Sequence, residues 1–469
     1  MTNKYSHLGT VHTAHTTISP TPDPATAQRI IFLLAGSVAL MMTGFGIIMP
    51  VFARRLGEFG DGVEALGLMT MSYALVQFIL SPFMGGLADR YGRRPFILVA
   101  LAAFVATNIG YLLAETTTQF ILIRTLGSAF MAGLFPAAMG VVADIIPERQ
   151  RAQWIGIVMG GYGAGFVLGP VMGGLLYDAF GFAAPFTTSA ALAALAFTAA
   201  AYVIPETRPP AVRQRAQLQQ NRSFTLTPPP ASLWQAIPRP IPLFLTLLFI
   251  DFAGTFAFSF IEPEMVFYVY ETLGWSTTRF GLVVGVYGLA MVIGQTMLGR
   301  VSDRYGRQRV IALGLLLNST LYFGITYSTS FEFILVVCLI AGLGAALIAP
   351  ALSAFFLDIT AESQRSTVVG IKESALSLGS VLGPLAVAAA SGRLAPTTIF
   401  MLGGTLLLLA LLGALLFLRH SATQKRSVTD DITTQLAEQR CLTAQNSLNG
   451  ILITAHQARR PTTPASGKL

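Results

Sequence analysis

The chain has 469 residues, 53% of them hydrophobic and only 11% charged, with a formal net charge of +8 and a mean hydropathy of +0.64. So few charges among so many apolar residues exclude an ordinary soluble domain and indicate an integral membrane protein. The positive balance does not imply nucleic acid, since no nucleic-acid motif accompanies it. Two cysteines, Cys338 and Cys441, make neither a disulfide framework nor a metal site, and no cofactor is expected.

Residues 1–28 are rich in Thr, Pro and His and lack the basic start and apolar core of a cleaved signal peptide. They read as a disordered cytoplasmic tail, with His7, His12 and His15 part of that polar tail rather than metal ligands. A bilayer core of about 30 Å needs about 20 apolar residues in a helix. On that ruler, spans fall near 30–52, 66–88, 96–114, 119–143, 153–176 and 185–204. A second set falls near 241–264, 280–301, 309–328, 332–357, 366–390 and 397–418. The expected fold is therefore an all-α integral membrane protein with twelve transmembrane helices in two six-helix bundles, 29–204 and 241–418. A cytoplasmic linker over 205–240 joins them, and a cytoplasmic tail follows over 419–469.

Loop charges orient the chain. Arg54, Arg55, Arg279 and Arg393 fall on one side; Arg90, Arg93, Arg94, Arg149, Arg151, Arg300, Arg304, Arg307, Arg309, Arg365 and the linker arginines fall on the other. Basic loops favour the cytoplasm, which places both termini there, in a multi-pass protein of the cell membrane.

Residues 85–95 read GGLADRYGRRP and residues 299–309 read GRVSDRYGRQR, an offset of 214 positions. The same offset carries Asp144 onto Asp358, Pro136 onto Pro350, and Gly165, Gly169 and Pro170 onto Gly379, Gly383 and Pro384. An ungapped register of this kind marks a duplicated six-span unit, so the two bundles should be pseudo-symmetric about a central cavity. Each charged phrase lies between the second and third spans of its half. The residues Gly85, Asp89, Arg90, Gly92, Arg93 and Arg94, with Gly299, Asp303, Arg304, Gly306 and Arg307, read as a conformational latch. Asp89 is expected to bridge to the amino end of the eleventh span near Ser366, and Arg93 or Arg94 to pair with Asp144. A plain basic stop signal would not call for the matched aspartates and glycines.

The run Gly85-x-Leu87-Ala88-Asp89-Arg90-x-Gly92-Arg93-Arg94 resembles the cytoplasmic loop signature of the major facilitator superfamily. In the fifth span, Gly165-x-x-x-Gly169-Pro170-x-x-Gly173-Gly174 is similar to the signature that marks its drug/proton antiporters, and TGFGIIMPVFARRL resembles the end of the first span in tetracycline-exporter-like members. The resemblance covers residues 30–418. It implies a secondary transporter of small molecules coupled to protons; a monomer is expected, and with no nucleophile or metal constellation the chain is not expected to be an enzyme. Small residues at spacing four also have a mechanical reading, as close helix approach beside the Pro170 break in the hydrogen-bond ladder.

Charges inside spans are expensive and usually functional. Arg124 in the fourth span matches a position the family ties to proton transfer; the other reading is an arginine snorkelling to the interface. Asp251 lies near the midplane of the seventh span, as a lone carboxylate whose charged form burial penalises. It reads as a proton carrier or as the fixed partner of a basic group. Lys372 and Glu373 adjoin in the eleventh span, where one would line the cavity and the other pair or snorkel. Glu262 and Glu264 are placed near the outer rim. Phe252, Phe256, Gln77, Asn108, Gln295 and Asn318 are candidates for contacts with substrate or between helices.

Three function classes follow: a proton-driven exporter of small lipophilic compounds, a proton-coupled transporter of a defined metabolite such as a sugar, carboxylate or siderophore, and a non-transporting receptor or channel. The fifth-span signature favours the first. No G-x-x-x-x-G-K-[ST] loop supports direct ATP drive.

Overall fold

The computed structural model describes residues 24–207, 238–298, 301–360 and 364–418. The expectations for the tails, for linker residues 208–237, for His7, His12, His15, Cys441 and Gly299, and for the side chains of Asp303 and Ser366 lie outside the described residues.

Twelve helices are long and apolar enough to cross a membrane: Thr26–Glu58, Val63–Tyr91, Arg93–Leu113, Thr117–Ile145, Gln153–Phe180, Ala183–Val203, Ile241–Thr272, Thr277–Leu298, Arg307–Tyr327, Phe331–Asp358, Val368–Ala390 and Pro396–Phe417. They correspond one for one to the spans expected from hydropathy, and no strand occurs among the described residues. The first helix begins at Pro24, inside the segment read as tail. A proline's missing N–H costs nothing in a first turn, so the helix starts there, ahead of the apolar run. The fourth span is broken between Met131 and Leu134. Pro136 cannot donate to the carbonyl four residues earlier, and Gly133 just before it relaxes the chain. The tenth span carries Leu347 at Gly133's duplicate position and stays continuous through Pro350.

Packing bears out the duplication. The first helix packs on the fifth and sixth, the third on the fourth and sixth, and the second on the fourth. The seventh packs on the eleventh and twelfth, the ninth on the tenth and twelfth, and the eighth on the tenth. Each pairing recurs six helices later. Between the halves, the fifth helix meets the eighth and the second meets the eleventh.

Small residues make these approaches close. A Cβ on Gly169 would lie 2.6 Å from the Cα of Gly46, and one on Gly165 would lie 2.6 Å from the amide nitrogen of Thr43. One on Gly173 would overlap the Ile47 carbonyl. The fifth-span motif thus seals the fifth helix against the first.

Twelve crossings return residue 418 to the side where residue 24 starts, here the terminal side. Contacts between the halves gather on the far side. A Cβ on Gly67 would lie 2.8 Å from the Pro384 carbonyl oxygen, and one on Gly174 would lie 2.5 Å from that of Thr277. Toward the terminal side, Gly156 and Gly160 of the fifth helix and Gly370 of the eleventh have nothing within 4 Å of where a Cβ would stand.

Candidate functional site

Between the halves lies a cavity of about 1080 Å³. The first half brings six aromatic rings to its lining, Phe45, Phe52, Tyr73, Phe78, Tyr162 and Phe166. The second half supplies hydroxyls (Ser259, Ser374, Ser377, Ser380) and two carboxylates, Glu262 and Glu373. The serines at 374, 377 and 380 recur at spacing three, so they share one helix face.

Arg124 is half-buried in this wall. Its guanidinium carbon stands 4.5 Å from the Tyr73 ring centroid, 4.6 Å from Phe52 and 5.0 Å from Phe45. Rings at these distances attract a cation through their negative faces, so the charge is tethered inside the cavity rather than drawn out to the interface. Glu262 feels the Arg124 charge. The seventh helix turns it into the cavity, whereas Glu264 is buried outside the lining. Position 262 had read as outer rim. It does lie in the far half of its span, but cavity facing depends on helix rotation.

Asp251 is not a lone carboxylate. Its Oδ2 lies 3.8 Å from Lys372 Nζ, and the same ammonium lies 3.2 Å from Glu373 Oε1. The seventh and eleventh helices pack together along their length, which brings these residues into register. Asp251 and Lys372 are largely shielded, while the Glu373 side chain is 61% exposed and lines the cavity.

At the terminal end of the first half, Arg93 binds two carboxylates, Asp89 at 2.7 Å and Asp144 at 2.8 Å. Glu206, which sequence reading left in the linker, caps the third helix by accepting from the amides of Arg93 (3.0 Å) and Arg94 (3.3 Å). Its only sequence signal is an acid directly after a span. Gly92 between them has φ +111°, and a Cβ there would overlap the Glu206 carboxylate. Arg94 donates to the Ala201 carbonyl at 2.6 Å, and Arg90 lies over Tyr91. In the second copy Arg307 pairs with Asp358 at 2.8 Å, the counterpart of Arg93 with Asp144. There Gly306 has φ +89° and Arg304 lies over Tyr305.

Of the expected substrate contacts, Gln77 lines the cavity and donates to the Ser128 carbonyl at 3.3 Å. Phe252 and Phe256 pack against one another as tilted rings, with centroids 5.5 Å apart, and their backbones pack on Gly379 and Gly383. Their helix presents Phe258 and Ser259 to the cavity instead. Asn108 is fully buried and donates to the Phe104 carbonyl; Asn318 is buried against Gly344. Gln295 is exposed, and neither it nor Lys372 is among the lining residues.

The far side carries a polar clamp between the halves. Asp178, ending the fifth helix, accepts from the amides of Thr277 (3.2 Å) and Thr278 (2.8 Å) at the start of the eighth. Arg54 donates to the Trp275 carbonyl at 2.7 Å, and the Tyr270 hydroxyl donates to the Pro50 carbonyl at 2.7 Å.

Known proteins share this architecture. The chain is 26% identical over 360 residues to multidrug resistance protein 2 of Bacillus subtilis, covering 76% of this chain and 88% of the relative. It is 24% identical over 361 residues to the quinolone resistance protein NorA of Staphylococcus aureus, covering 76% and 89%. With the class C tetracycline resistance protein of Escherichia coli the identity is 28% over 374 residues, covering 77% and 90%. The fold is similar to that of a bacterial homologue of the human lysosomal transporter Spinster in an inward-facing, occupied conformation (TM-score 0.65, 15% identity, 85% of this chain and 98% of that one). It is also similar to that of the human organic anion transporter TETRAN (TM-score 0.60, 21% identity, 83% and 99%). A family model matches residues 34–278 and 252–456, so this multi-pass membrane protein, a transporter and not an enzyme, belongs to the Major Facilitator Superfamily.

Proposed function

We propose that the chain exports small lipophilic or amphipathic compounds in exchange for protons, by alternating access, as a monomer in the cell membrane with its terminal side cytoplasmic. The observation that carries this reading is a cavity shared by both halves, closed by contacts on the far side and lined by ionisable Arg124, Glu262 and Glu373. A carboxylate exposed to one side at a time can take a proton from the far side and give it up on the other as cargo leaves. Glu262, beside Arg124, and Glu373, in a chain with Lys372 and Asp251, are placed for that exchange. The aromatic rings of the wall suit lipophilic cargo, and the relatives are named for resistance to multiple drugs, quinolones and tetracycline. The basic loops of the terminal side agree with a cytoplasmic placement.

The test is a drug panel on efflux-deficient cells expressing the chain. Raised tolerance to several unrelated lipophilic compounds, abolished by a protonophore, is the expected outcome. Net accumulation of compound in those cells would make the chain an importer and overturn the reading.

A further inference from the structure

The charges of the cavity are segregated by half. Among its lining residues, the first half contributes one charged side chain, Arg124, and the second half contributes two, Glu262 and Glu373. Both walls also carry apolar and hydroxyl surface.

Arg124 feels the charge of Glu262 but forms no close ion pair with it. Among the described residues no carboxylate lies within ion-pair distance of it, and its buried Nε has no hydrogen-bond partner. The three rings engage the cation through their faces, and the phenol oxygens of Tyr73 and Tyr111 lie near it, but none of them reaches the Nε. A guanidinium binds acids with its in-plane donors while its flat faces stack on rings, so both uses are compatible. A buried donor left without an acceptor is costly, and a ligand oxyanion would remove that cost. On the other half, Glu373 is largely exposed to the cavity although it touches Lys372, and the hydroxyls of Ser374 and Ser380 are turned to backbone carbonyls of their own helix. The charged acceptors there for a cationic end are the two carboxylates, with the serine oxygens as neutral ones.

We infer that the cavity selects dipolar aromatic compounds, binding an acid group at Arg124 and a basic group at Glu262 or Glu373. This rests on the cavity being the transport site and adds the substrate class to that reading. Because the two poles belong to different halves, such a compound would tie the halves together through the ligand itself.

The experiment is calorimetric binding to the purified protein in lipid nanodiscs, with empty nanodiscs as reference and no gradient imposed. Three probes share one ring system: 6-(aminomethyl)-2-naphthoate carries both charges, its methyl ester only the positive one, and 6-methyl-2-naphthoate only the negative one. The dipolar probe should bind about tenfold or more tighter than either single-charge probe, as expected for one added charge-assisted contact. In Arg124→Gln the acid and its ester should bind equally, while Arg124→Lys should keep part of the preference and show that the fold tolerates the site. Equal binding of all three probes to the native protein, or an undiminished acid preference in a folded Arg124→Gln, would overturn the inference. Loss of proton-driven export with dipolar selection intact would sink the export reading alone; export with no dipolar selection would sink this inference alone.

Discussion

Arg93 is held between Asp89 and Asp144 and lies so close to Gly140 that a Cβ there would overlap the guanidinium. The Arg93 ion pairs therefore depend on an uncharged residue as well as on the two carboxylates. Gly140→Ala should displace Arg93 at an overpacking cost of about 1–3 kcal/mol, and should slow transport much as Asp144→Asn does. Turnover measured at matched membrane expression checks this; an unaffected Gly140→Ala would mean that the Arg93 pairs do not limit the cycle. At the other charged cluster, Lys372 decides how Asp251 is read. Asp251→Asn leaves a shielded ammonium with one acid partner, Glu373, and should cost up to about 3 kcal/mol, the low end for breaking a buried pair. Adding Lys372→Met should restore the melting temperature. Failure of that rescue would separate Asp251 from Lys372 and favour Asp251 as an independent proton carrier.

Asp178 joins the two halves on the far side, and Gly169 holds the fifth helix against the first. Asp178 meets the amide end of the eighth helix from across the halves, an anion at the positive end of a helix dipole. Its duplicate position is Gly392, so the second half has no matching carboxylate. Asp178→Ala should weaken the far-side closure by about 1 kcal/mol, shifting the two conformers roughly fivefold toward opening there. Spin labels at Gly62→Cys and Gly392→Cys, with Cys338 and Cys441 replaced by serine, should show a larger population at long distance in the variant. An unchanged distance distribution would leave Asp178 a bystander. Gly169→Leu should be harsher: the fifth helix would be forced from the first at about 1–3 kcal/mol, and transport should be lost despite normal insertion. Transport at the native rate would show that this approach need not be close.

Both contacts also show what could be read ahead of the structure. The glycines at spacing four, and Arg93 opposite Asp144, were legible because periodicity and duplication constrain them. The cavity-facing side of the seventh helix was not. A helix apolar on every side has no polar stripe to report its rotation, so Phe252 and Phe256 and the Phe258–Ser259–Glu262 face were equally eligible. Asp178 escaped notice because its partners are backbone amides 99 and 100 residues away. Glu206 did too, since an acid at a span end looks like linker until its partners are seen.

At the scale of the molecule, one half repeated gives two bundles whose helices pair alike, with departures from symmetry at Arg124 and Asp178. Arg124 has Cys338 as its duplicate and Asp178 has Gly392, while Arg93 with Asp144 is faithfully repeated as Arg307 with Asp358. The repeated features hold each bundle together, and the unrepeated ones give the cavity its polarity and the far side its clamp. Such a molecule should couple a proton gradient to movement of cargo through the shared cavity. The direct measurement uses purified protein in liposomes with an imposed pH gradient and a lipophilic fluorescent compound on the outside. With the interior acidic, compound should accumulate against its own gradient in those vesicles whose terminal side faces out, and a protonophore should abolish the accumulation. Glu262→Gln should abolish it as well. Accumulation that persists without a pH gradient, or that runs only toward the alkaline side, would contradict proton-driven export.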